Sequence, residues 1–254
     1  MTKTVRKASR IAALAAPLAL TLGTAPANAR NAPDDAAQTA KVTQSAEITQ
    51  PAPAPAPVEH AYVALTTSAG VITLDLDKTH APLTTANFLK YVDSKRMDGA
   101  VFYRAMHLGY SDTPAGLLQG GVRDGAKLLP PVAHETTNQT GILHKAGTIS
   151  MARFAPGTAT ADFMILLSDM PALDADKDNT GEDPGAGFAA FGHVAGGMDV
   201  VRAIWNMPRS ATKGEGVMKG DILENEVRIV SARRVDAPPS PEPVQEPTTP
   251  ADDL

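Results

Sequence analysis

Between Val101 and Val194 the chain carries five short blocks in sequence. They are Val101-Phe-Tyr-Arg104, Gln119-Gly-Gly121, Gly147-Thr-Ile-Ser-Met-Ala-Arg153, Ala161-Asp-Phe-Met-Ile165 and Phe188-Ala-Ala-Phe-Gly192. The apolar runs here are short and bounded by Gly, Pro or Asp, as β segments are. Chemically, the first block contributes a guanidinium, the second a carboxamide, and the later ones small or apolar side chains. Any one of them occurs by chance in many chains. Their order over about ninety residues is the informative feature.

The flanks agree with a β-rich body. Tyr62-Val-Ala-Leu-Thr-Thr67 and Val71-Ile-Thr-Leu-Asp-Leu76 alternate around Ser68-Ala-Gly70, which predicts a hairpin with a short glycine-containing turn. Pro82 suits a first helical turn, and Leu83, Ala86, Phe88, Leu89 and Val92 follow at helical spacing, so a helix should end near Ser94. Met198, Val201, Ala203, Ile204 and Trp205 predict a second helix between Gly197 and Pro208. Val227-Arg-Ile-Val230 is a closing strand. Strands and helices do not alternate, which excludes a parallel α/β sheet.

The ordered blocks resemble the cyclophilin-type peptidyl-prolyl isomerases, over about Tyr62 to Val230. The resemblance implies a mainly β fold: a closed eight-stranded antiparallel barrel capped by two α-helices, filled by side chains, with the site on its outer face. It implies a reaction needing no cofactor or metal, the rotation of X-Pro bonds in proline-containing polypeptides. The Arg of the family's Phe-x-Arg block is matched by Arg104, which becomes the expected catalytic donor to the prolyl nitrogen. Gln119 matches the family Gln that binds substrate backbone. Ala152, Arg153 and Phe154 fall where the family lines its groove. Strand alternation sets Asp162 and Met164 on one face and Phe163 on the other, and the family pattern makes the first face the pocket. Leu173 matches a pocket wall.

The departures matter as much. Counting back from Gln119 places Leu117 and Gly116 where well-known members carry a Phe, and the loop from His107 to Gly116 is longer than usual. Met164 replaces a Phe under the proline ring, Arg153 a groove Asn, Asp162 a Gln, Ala172 a Trp and Phe188 a His. Arg153 and Asp162 are expected to be a compensating pair. The insert Asp174-Ala-Asp176-Lys-Asp178 imitates the start of a calcium loop, but Asn179 stands where glycine is required. A solvated acidic loop is the reading preferred. The six histidines are scattered without metal-ligand spacing.

Residues 1–29 hold Lys3, Arg6, Lys7 and Arg10, then the apolar run Ile11 to Leu22, then Ala27-Asn-Ala29, the layout of a secretory signal peptide. Twelve apolar residues fall short of the ~20 that cross a bilayer. That leader takes four of the 23 basic residues and none of the 28 acidic ones, leaving a mature chain near −9. Such a charge disfavours nucleic acid as a partner, and no membrane insertion is expected after processing. Cysteine is absent, which excludes disulfides and thiol chemistry. The expected organisation is a signal peptide at 1–29, an Ala/Pro-rich linker at 30–58, the isomerase domain at 59–236 and a Pro-rich acidic tail at 237–254. The expected location is exported and periplasmic. The rival reading is a non-catalytic proline-peptide-binding chaperone or scaffold module of the cell envelope.

Overall fold

A computed structural model describes residues 57–109, 114–179 and 181–238. The stretches expected to be a signal peptide, a linker and a tail lie wholly, almost wholly and mostly outside the described residues. Eight strands form the body: β1 (His60–Thr67), β2 (Gly70–Asp77), β3 (Val101–His107), β4 (Gly116–Gly121), β5 (Thr148–Met151), β6 (Phe163–Leu166), β7 (Ala189–Gly196) and β8 (Ile222–Val235). They close into one antiparallel barrel in the order β1-β2-β7-β5-β6-β4-β3-β8, with β8 pairing back onto β1. The hairpin pairs Thr67 with Gly70, whose positive φ of 138° favours glycine.

Among the described residues three α-helices flank the barrel: α1 (Pro82–Asp93), the single-turn α2 (Thr137–Thr140) and α3 (Met198–Trp205). Helices α1 and α3 lie where the apolar spacing predicts them. Each lays an apolar stripe into the barrel core, through Phe88, Leu89, Tyr91 and Val92 from α1 and Val201, Ile204 and Trp205 from α3. At the entry to α1, Ala81 offers no capping side chain, and the buried Glu135 takes that role. Its carboxylate accepts from the backbone N–H groups of Leu83 (3.0 Å) and Thr84 (2.7 Å), where the positive end of the helix favours an anion.

Two features extend beyond the sequence reading. Strand β8 is fourteen residues long rather than four, because it pairs with both β1 and β3 and leaves Glu224, Asn225 and Glu226 in solvent. Helix α2 has no apolar period. It forms on a capping box between Thr136 and Gln139 and stops at Gly141, at φ 71°.

Strand pairing sorts the side chains. In-register neighbours share a face of the sheet. The row Ala105, Leu118, Ile165, Ile149 points inward, as do Phe102 and Phe163, all 0 % exposed and all in the barrel core. Phe163 makes edge contacts with Phe88 and Phe102, at 5.5 and 5.6 Å between ring centroids. The opposite row, Arg104, Gln119, Met164, Ser150, runs across β3, β4, β6 and β5 on the outer face.

Candidate active site

Arg104 reaches the outer face through a fault in strand β3. Simple alternation from the core residue Phe102 would point Arg104 inward as well. The β3 register instead shifts between Phe102 and Arg104 against both neighbouring strands, a bulge that adds Tyr103 as an extra residue. Phe102 and Ala105 therefore both stay in the core, while Tyr103 and Arg104 both serve the outer face.

The guanidinium of Arg104 is held from two sides. Its Nη1 donates to Gln119 Oε1 (3.1 Å), while Nε and Nη2 donate to Asp221 Oδ2 (3.3 and 3.0 Å). Among the described residues three of its five N–H groups are thus engaged, and one N–H on each terminal nitrogen remains. The Arg104 and Asp221 side chains are only 11 % and 16 % exposed, so the pair is largely shielded from water.

The buried Gln119 passes the order onward. Its Nε2 donates to Tyr103 Oη (2.6 Å), and Tyr103 donates to Asp162 Oδ2 (2.7 Å). Burial, and then the neighbouring Asp162 charge, raise the Tyr103 phenol well above its ordinary range, so it stays a donor. Burial likewise raises the Asp162 carboxyl, while the Tyr103 bond pulls it back. The Arg123 guanidinium lies 4.5 Å over the Tyr103 ring. Gly121 makes the approach possible: a Cβ there would overlap the Asp162 carboxylate.

Beside this relay lies a small apolar cluster separate from the barrel core. Leu117, Met164, Leu166 and Met170 are buried in it, with Met106, Leu108, Leu173 and Phe188 packed alongside. Leu117, Met164, Leu173 and Phe188, four positions expected around a pocket, are thereby brought together. Tyr103, Gln119, Ala152, Arg153, Phe154 and Asp162 help line a groove of about 510 Å³. Phe154 stands at its rim with 96 % of its surface exposed.

The expected pairing of Arg153 with Asp162 is not what the structure shows. Arg153 donates to Asp183 and to the carbonyl of Gly187, while Asp162 is engaged by Tyr103. The cause is the insert, which brings a carboxylate and a free carbonyl to Arg153. The insert's carboxylates turn to separate partners. Asp174 faces His144, Asp183 faces Arg153, and no group of three metal-ligating side chains occurs among the described residues. Asp174, His144 and Ser150 form a row with contacts of 2.7 and 2.9 Å. That order matches a hydrolase triad, yet Ser150 is 0 % and His144 1 % exposed, so the row is a fastening rather than a nucleophile.

Comparison with known proteins fits this geometry. The family model described as cyclophilin type peptidyl-prolyl cis-trans isomerase/CLD matches residues 62–234. The chain belongs to the cyclophilin family. The cyclophilin is 37 % identical to the peptidyl-prolyl cis-trans isomerase cyp18 of Streptomyces antibioticus, over 60 % of this chain and 87 % of that one. It is 36 % identical to peptidyl-prolyl cis-trans isomerase A of Dickeya dadantii, over 65 % and 82 %. Its fold matches a crystal structure of a cyclophilin type isomerase from Cryptosporidium parvum with a TM-score of 0.53 at 17 % identity, covering 71 % of this chain and all of that one. The cyclophilin is accordingly an enzyme that isomerises peptidyl-prolyl bonds.

Sequence reading missed Tyr103, Asp221 and Arg123. Tyr103 sits on the bulge that alternation does not anticipate, and Asp221 lies 117 residues from its partner Arg104.

Proposed function

We propose that Arg104 is the catalytic donor of this cyclophilin, and that its substrates are extended X-Pro segments of exported polypeptides. Rotation about an amide is opposed by ~20 kcal/mol because the nitrogen lone pair is delocalised into the carbonyl. X-Pro bonds populate both isomers but exchange over tens of seconds or longer. No bond has to break. A donor aimed at the prolyl nitrogen stabilises the twisted, pyramidal state more than the planar one, which is catalysis by preorganised electrostatics.

One observation carries this reading: the Arg104 guanidinium is fixed by Gln119 and Asp221 while two of its N–H groups stay unengaged among the described residues. It costs little reorganisation to use them. The apolar cluster of Leu117, Met164, Leu173 and Phe188 suits a pyrrolidine ring. Met164 is a pliable floor that moulds to the ring rather than presenting a rigid face. The remaining N–H of Gln119 suits a substrate carbonyl.

The exported location rests on the leader and its Ala27-Asn-Ala29 cleavage pattern. Among the described residues no helix is long and apolar enough to cross a membrane. Protease-coupled turnover of a proline tetrapeptide by the chain from Arg30 onward tests the activity. A rate well above the uncatalysed one is expected. Tetrapeptide binding without acceleration would favour the chaperone reading instead.

A further inference from the structure

We infer that Arg153 is a positioning residue, the clasp that fastens the 174–187 insert so that Phe188 and Leu173 stand as walls of the proline pocket. The inference rests on the isomerase reading for its kinetic consequence.

Arg153 has no donor left for substrate. Its Nε and Nη2 donate to the Gly187 carbonyl (2.9 and 2.6 Å), and Nη1 and Nη2 donate to the two Asp183 oxygens (3.2 and 3.0 Å). The second Nη1 hydrogen goes to the Phe154 carbonyl at 3.0 Å. A guanidinium has five N–H groups, and here all five are taken. Its side chain is 7 % exposed and helps line the groove, as its place beside Ala152 and Phe154 predicts, but as a wall rather than as a donor. Arg104 keeps two N–H groups open, so the two arginines have opposite tasks.

What Arg153 holds is the base of a closed loop. The Phe188 N–H donates to the Leu173 carbonyl (2.9 Å), so the two ends of the insert meet at the pocket wall. Gly187 sits against Leu173 O and the Ala175 nitrogen so closely that a Cβ would collide with both. The guanidinium carbon lies 5.1 Å from the centre of the Phe188 ring, which adds cation–π attraction to the clasp. At the far side Asp174 accepts from the His144 backbone N–H (2.9 Å) and Nδ1 (2.7 Å). The insert is therefore pinned at both ends, and Arg153 fixes the end that carries Phe188.

A double-mutant cycle over Arg153→Ala and Asp183→Ala tests this. It is read by kcat and KM on a proline tetrapeptide, by tetrapeptide Kd, and by amide exchange at 175–188. Arg153→Ala is expected to raise KM and Kd about tenfold, leave kcat within about twofold and accelerate exchange in the insert. Asp183→Ala should move the same quantities in the same direction by less, and the double variant should match Arg153→Ala alone. Arg153→Lys, which keeps the charge but cannot span both acceptors, should fall between wild type and Arg153→Ala. Three results would overturn the inference: Asp183→Ala without effect, effects that multiply, or faster insert exchange with unchanged Kd. A wild-type protein that binds tetrapeptide without turnover would sink the proposed function instead, while Kd and exchange would still decide the role of Arg153.

Discussion

Asp221→Ala is the perturbation that asks whether the aim of Arg104, and not merely its presence, matters. Asp221 Oδ2 receives two guanidinium N–H groups at 3.0 and 3.3 Å, and both side chains are mostly shielded, at 11 % and 16 % exposure. A hydrogen bond to a charged partner contributes about 1.5–3 kcal/mol. The longer bond and the residual solvent screening argue for about 2 kcal/mol for the pair together. If that energy serves to hold the donor in place, a factor of ten per ~1.4 kcal/mol gives a loss of about thirtyfold in kcat/KM. Asp221→Asn keeps an acceptor without the charge and should lose less. The assay is protease-coupled turnover of a proline tetrapeptide, with urea melts to show that each variant is folded. The backbone bond from Ala105 N–H to the Asp221 carbonyl (2.8 Å) does not depend on the side chain, so the local fold should persist. A folded Asp221→Ala enzyme within about twofold of wild type would refute the reasoning, because the guanidinium would then need no counter-anion to be aimed.

Three further outcomes are expected. Phe163→Ala, which removes a fully buried ring contacting Phe88 and Phe102, should cost about 3–5 kcal/mol in a urea melt. Burial lowers the His144 pKa below its ordinary 6.5, so the unfolded chain binds more protons than the folded one. Stability should therefore be full above about pH 6.5, fall as pH drops toward the lowered folded value, and lose part of this dependence in His144→Asn, as urea melts across pH would show. Mass spectrometry of the protein recovered from the exported fraction of expressing cells should find a chain beginning near Arg30; an intact Met1 in the membrane pellet would contradict the leader reading.

Much of this molecule is legible in its sequence, and the gaps have physical causes. Alternation around Gly70 yields the first hairpin, and the spacing of Val201, Ile204 and Trp205 yields α3, because each buries one clean face. Strand β8 defeats the same reasoning through Glu224, Asn225 and Glu226, exposed residues on a strand held by partners on both sides. The Thr136 to Gln139 capping box was a readable signal for α2, although nothing apolar accompanies it. In the site, Arg104 and Gln119 come from the order of the blocks. Tyr103 is hidden by the bulge, which breaks the period that alternation relies on. Arg153 pairs with Asp183 rather than the expected Asp162, because Asp183 arrives on an insert whose path local pattern does not encode.

The most direct test of the central claim is the turnover of Arg104→Ala. Removing one preorganised donor costs about 2.7–4 kcal/mol, or a hundredfold or more in rate. The account predicts that Arg104→Ala loses nearly all isomerase activity while still melting cooperatively. An Arg104→Ala enzyme that is folded and keeps most of its kcat/KM would contradict it.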